Sequence, residues 1–192
     1  MTLTFKVTAT TGADRREKNV GCTVQTHMKN YYYAGGKKIE LDADDEHVSV
    51  DRAIAEAAGL ASSSIDGGLP DLRSGVVLSE KSSLGHKVLD ALHGARALRP
   101  VFRRDQAVLV ALPEIRVEYD DLTQRNAVKK LLASDFHDAA ITEETDDQMT
   151  LTPRSGDARD ALKMANEIFE LAHPAASSVR FVQFMPKPGV IR

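Results

Sequence analysis

Histidine, serine, cysteine and acidic side chains are the raw material of hydrolytic and metal chemistry, and this chain scatters them. Its histidines stand at His27, His47, His86, His93, His137 and His173, and only His86 and His93 share a regular separation, a weak match to any ligand spacing. A structural or catalytic metal needs ligands that converge, so no metal is expected. Cys22 is the single cysteine, which excludes an intrachain disulfide and a Cys/His zinc cluster. Ser62-Ser63-Ser64 sits in a loop-like stretch and His86 inside a helical stripe, so neither reads as an activated nucleophile beside its base. The chain is expected to be non-catalytic and to use no cofactor.

Three further groups invite sharper readings. Gly35-Gly36-Lys37-Lys38 lacks the spacing of a phosphate-binding loop and is not followed at once by a helix; two glycines between β-favouring runs predict a hairpin turn instead. Asp42, Asp44, Asp45 and Glu46 lack the glycine and distal glutamate of a calcium loop, so a solvated acidic loop is expected. Tyr31-Tyr32-Tyr33 could stack on bases, but strand packing is the expected role. The 25 basic against 28 acidic residues create no field that would draw a phosphate backbone, which argues against nucleic acid as a partner.

Composition is that of an ordinary globular protein, and 192 residues suffice for two small modules. The N-terminus, Met1 to Val7, lacks the apolar core of a signal peptide, so a cytoplasmic location is favoured; the apolar run Ala107 to Leu112 is too short to span a bilayer, so no membrane role is expected.

The elements that would position any site follow from periodicity. Residues 1–30 read as an N-terminal strand, with Leu3, Phe5 and Val7 alternating on one face, followed by a polar loop. In residues 31–104, a first α+β module, the Tyr31 to Leu41 hairpin is followed by a strand at His47 to Val50 and a helix carrying Ala53, Ile54, Ala57 and Ala58 up to Gly59. After a Ser/Asp/Gly/Pro loop, Ala61 to Ser74, come a strand at Val76 to Leu78, a helix with Leu84, Val88, Leu89 and Leu92, and a strand at Leu98 to Phe102. Arg103-Arg104-Asp105 is the expected module boundary.

Residues 105–192 form the second module. Ala107 to Leu112 and Ile115 to Tyr119 flank Pro113, which predicts an interrupted or edge strand. A helix over Asp121 to Ala133 precedes Ala139 to Ile141 and Met149 to Leu151, which bracket an acidic hairpin tip. Asp157 is placed to cap a helix Ala158 to Ala172, with Ala165, Ile168 and Phe169 central on its apolar stripe and Asn166 and Glu167 off it. A last strand alternates from Val179 to Phe184. The predicted fold is α+β: two ferredoxin-like (split βαβ) modules with antiparallel sheets, behind an N-terminal strand.

The chain resembles the N-terminal propeptides of bacterial subtilisin-like serine proteases. The resemblance rests on Tyr31 to Ile39, on Pro113 to Tyr119 as a first propeptide strand, on Ala161 to Glu170 as its second helix, and on Val179 to Pro186 as its terminal strand, covering most of residues 31–186. The family's aspartate, His-Gly-Thr and Gly-Thr-Ser-Met-Ala motifs do not occur in this sequence. The resemblance thus implies an inhibitor and intramolecular chaperone for a subtilisin-like protease, in cis or in trans, without the protease itself.

It also implies the mechanism: the sheet of the second module packs on the protease, and the tail lies in the cleft as an added strand. Phe184, Met185, Pro186, Lys187, Pro188, Gly189, Val190, Ile191 and Arg192 would be the contact segment. The alternative expectation is a non-catalytic ferredoxin-like module for protein interaction or regulation.

Overall fold

A computed structural model describes residues 30–57, 75–94 and 97–184. The strand expected at Leu3 to Val7, the helix stop at Gly59 and the loop through residues 61–74 lie outside the described residues.

The opening hairpin pairs β1 (Asn30–Ala34) with β2 (Lys37–Ala43). Gly35 and Gly36 have φ of 55° and 74°, the twofold left-handed geometry that a two-residue turn in a right-twisted hairpin requires. There follow β3 (His47–Asp51), α1 (Arg52–Ala57), β4 (Val76–Glu80), a 3-10 turn (Lys81–Ser83) and α2 (His86–Gly94). The single strand expected over Leu98 to Phe102 is two strands, β5 (Leu98–Arg99) and β6 (Val101–Arg104). Pro100 separates them, and they enter different sheets: β5 pairs with β3, and β6 with β2 and β7.

The Arg103-Arg104-Asp105 junction is the start of a tight hairpin, since Arg104 pairs with Ala107 at the head of β7 (Ala107–Glu118) and Asp105 takes a φ of 53°. Hydrogen-bonded ladders therefore run across the expected boundary. Strand β7 is unbroken through Pro113 and central, against the expected interruption. Pro113 is accommodated because the register with β10 (Ala176–Phe184) shifts between Val179 and Phe181, so that residues 112–114 bulge from β7 opposite Arg180 alone and have no ladder partner.

The remaining elements are α3 (Leu122–Asp135), β8 (Ala140–Glu144), β9 (Gln148–Thr152) and α4 (Ala158–Ala172). Asp121 caps α3, accepting from the Gln124 N–H at 2.8 Å. Asp157 caps α4 as expected, accepting from the Arg159 N–H at 2.7 Å.

The large sheet runs β1-β2-β6-β7-β9-β8, with β10 on the other edge of β7: Val110 lies between Val101 and Val182, and Ile115 between Leu151 and Val179. The small sheet has the order β4-β3-β5. Every pairing in both sheets is antiparallel, so the chain is an α+β protein with antiparallel sheets. The strands of residues 30–104 are divided between the two sheets: β1, β2 and β6 join the large one, and β3 to β5 make the small one.

Strand alternation assembles three apolar layers. On one face of the large sheet, Ile115, Val117, Met149 and Leu151 pack against Val128 and Leu132 of α3 and Ala161, Ala165 and Ile168 of α4. On the opposite face, Val108, Val110, Val182 and Phe184 meet Val76 and Leu78 of the small sheet. Val50 and Val77, on the far side of the small sheet, pack against Ala55 of α1 and Leu92 of α2. The order of layers is helices, large sheet, small sheet, helices.

Two residues of α4 depart from expectation. Asn166, expected off the stripe, is only 6% exposed, and its Nδ2 donates to the Tyr31 carbonyl at 2.8 Å, tying α4 to the opening hairpin. Phe169, expected in the core, is half-buried and stacks on Tyr33 with ring centroids 4.2 Å apart. Helix α4 ends on His173, left-handed at φ 48° and ψ 49°, whose N–H donates to the Phe169 carbonyl. A side chain in this conformation costs about 1–2 kcal/mol that glycine avoids. His173→Gly is expected to raise stability by about 0.5–1 kcal/mol, read as a higher denaturation midpoint at an unchanged slope.

Candidate docking surface

The small sheet covers only part of the large sheet's outer face, over the first half of β7 and the end of β10. Among the described residues, no element covers the other half. Glu143, Thr150, Arg116 and Ser178 are mutual neighbours across β8, β9, β7 and β10, forming one row over four strands. The adjacent rows, Met149-Val117-Ser177 and Leu151-Ile115-Val179, point the other way into the helix-side core. The period of two along β7 thus puts Glu114, Arg116 and Glu118 outside while Ile115 and Val117 are completely buried.

Charges on this face are paired in place. Arg116 Nε lies 2.9 Å from Glu118 Oε1, and Arg180 Nη1 lies 3.3 Å from Glu114 Oε2, with both arginine side chains more than half exposed. Such exposed pairs contribute little to stability. They leave polar side chains standing on a rigid, regular surface, suited to hydrogen bonding with a partner.

Of the expected contact segment, Phe184 is the only described residue. It is 7% exposed and packed with Val76, Leu78, Val108 and Val182, so its side chain belongs to the inter-sheet core. Met185, Pro186, Lys187, Pro188, Gly189, Val190, Ile191 and Arg192 lie outside the described residues.

The acidic loop differs from the solvated loop expected. The Asp44 carboxylate is buried, and accepts from the N–H groups of Glu46 and His47 at 2.9 and 3.0 Å and from Arg103 Nε at 2.9 Å, with His47 Nδ1 3.0 Å away. Burial pushes its pKa up, but the hydrogen bonds from His47, Arg103 and the two backbone groups outweigh this and hold it below the ordinary carboxylate value. Asp44, Glu46 and His47 are close enough to share an ion. Arg103 already supplies the positive charge, binding Asp44 and, at 2.8 Å, Glu46. The group is a latch at the crossing from β2 to β3, joining the strand leaving the large sheet to β6.

The tyrosines pack as strand residues. Tyr32 meets Phe181 edge to face at 5.1 Å, while the Tyr31 and Tyr33 hydroxyls both donate to Glu170 at 3.0 and 2.9 Å. The Glu170 hydrogen bond is the main cause raising the Tyr33 pKa. Lys38 caps the Tyr31 ring from 3.6 Å.

Sequence reasoning expected the second module's sheet to make contact but did not name the residues of its outer row, although the alternation Glu114-Ile115-Arg116-Val117-Glu118 carries the signal. It could not have found the Arg104–Tyr32 contact, which joins residues far apart in the chain.

Fold and surface together define a layered α+β protein with a half-open, polar antiparallel sheet face. Comparison with protein-family models, curated proteins and solved structures finds no match. No described helix is long and apolar enough to cross a membrane.

Proposed function

We propose that the chain is a propeptide-like inhibitor and folding chaperone of a subtilisin-like serine protease, with residues 105–192 as the docking unit. The observation that carries this reading is topological. The elements β7-α3-β8-β9-α4-β10 follow one another in that order, and their strands lie side by side as β10-β7-β9-β8, each antiparallel to its neighbour. This supports a ferredoxin-like, split βαβ unit for residues 105–184. Support for a second such unit in residues 30–104 is weaker, because their strands divide between two sheets.

The open row Glu143-Thr150-Arg116-Ser178 offers the protease a polar sheet face, and Phe184, clamped between the sheets, fixes where the tail departs. In this mechanism the face positions the molecule, and the tail then pairs with the cleft through main-chain hydrogen bonds. The protein binds without turning over a substrate.

The test is inhibition of a panel of subtilisins by the full chain and by a chain ending at Phe184. The full chain is expected to inhibit, and deletion of residues 185–192 to weaken inhibition at least tenfold, about 1.4 kcal/mol, with unfolding unchanged. Equal potency of the two forms removes the cleft mechanism. Binding to none of the panel favours a regulatory or scaffolding interaction module that uses the same open face.

A further inference from the structure

The opening hairpin curls over the helix-side face of the large sheet, and between it and β6, β7 and β10 lies a cavity of about 500 Å³ lined by Tyr32, Arg104, Gln106, Leu109, Phe181 and Gln183. Its floor is apolar: Leu109 belongs to the main core, and the Tyr32 and Phe181 rings meet there edge to face. Its rim sets donors beside one carboxylate, that of Asp105. Arg104 Nη1 donates to the Tyr32 hydroxyl oxygen at 2.6 Å, which leaves the Tyr32 O–H and the rest of the Arg104 fork to donate elsewhere. Arg99, Arg103, Arg116, Arg125 and Arg180 each reach a carboxylate, whereas Arg104, like Arg52, Arg154 and Arg159, has no ion-pair partner among the described residues; of these four, Arg104 alone lines this cavity.

A guanidinium without an ion-pair partner, oriented by a tyrosine at the mouth of an apolar cavity of ligand size, is complementary to an amphipathic anion. We propose that this cavity binds a small carboxylate carrying an aromatic or branched aliphatic body. The carboxylate accepts from Arg104 and Tyr32 at the rim, and the body rests on Phe181 and Leu109. This binding is independent of any protease.

3-Phenylpropionate titrated into the full chain is the probe, followed by amide NMR shifts and calorimetry at low salt. Saturable shifts are expected at Gln106, Leu109 and Phe181. Uncharged 3-phenylpropanol and acetate, which lacks the apolar body, should each bind at least about fivefold more weakly, as one lost charged or apolar contact implies. Arg104→Gln, at an exposed position, should weaken 3-phenylpropionate by at least about fivefold without moving the thermal midpoint, and Tyr32→Phe should weaken it less. Absence of saturable shifts, shifts centred away from these residues, or equal affinity in Arg104→Gln overturns the proposal.

Discussion

Ile168→Ala lowers stability by about 3–5 kcal/mol, the upper part of the range for truncating a buried aliphatic side chain. Ile168 has no solvent exposure and lies where α4 packs between Ile115, Val117 and Leu151 of the sheet and Val128 of α3. A cavity there has rigid walls on both sides, so collapse around it is limited. Its neighbour behaves differently. Phe169 is half-buried, with one ring face stacked on Tyr33, and Phe169→Ala is expected to cost about 1–3 kcal/mol from lost area and the aromatic pair. Denaturant unfolding of both variants, at matched slopes, measures the difference. An equal or reversed ranking would mean that α4 turns a different face to the sheet.

Asp44→Ala is expected to cost about 2–4 kcal/mol at neutral pH, because it strips two backbone N–H groups and Arg103 of their acceptor in a buried setting. The companion variant Asp44→Asn separates charge from shape. The folded protein holds the Asp44 pKa below its unfolded value, so the unfolded chain binds more protons in that window and stability rises with pH. The stabilisation is complete above the unfolded value of about 3.9 and is lost as pH falls through the folded pKa. Midpoints of wild type and Asp44→Asn should therefore diverge above about pH 4 and converge in stronger acid. A gap that stays constant down to pH 2 would remove the carboxylate's charge as its cause.

Much of the local structure was written in short-range patterns. The bounds of α4, its Asp157 cap, the glycine turn of the first hairpin and the acidic tip between β8 and β9 all follow from spacing and turn chemistry within a few residues. These features depend on neighbours in sequence, which is why they could be read there.

The errors arose where distant segments met. Pro113 reads as a strand breaker until pairing with β10, more than sixty residues on, leaves residues 112–114 as a bulge without ladder partners. Pro100 does break a strand, but only the pairing partners decide that its two sides enter different sheets. Asn166 looks like a solvent residue until the hairpin beginning at Asn30 folds across α4 and its Tyr31 carbonyl takes a hydrogen bond from it. Asp44 reads as one more charge in an acidic loop until Arg103 arrives from β6.

Sequence alone determined the α+β class, most of the described helices and strands, the Asp157 cap and the first hairpin turn, because propensity and hydrophobic period act over a few residues. Tertiary structure decided the rest. Which half of the sheet the small sheet covers, where Phe184 is clamped and that Arg104 meets Tyr32 all depend on pairings between strands far apart in the chain, and no local pattern encodes the register of such a pairing.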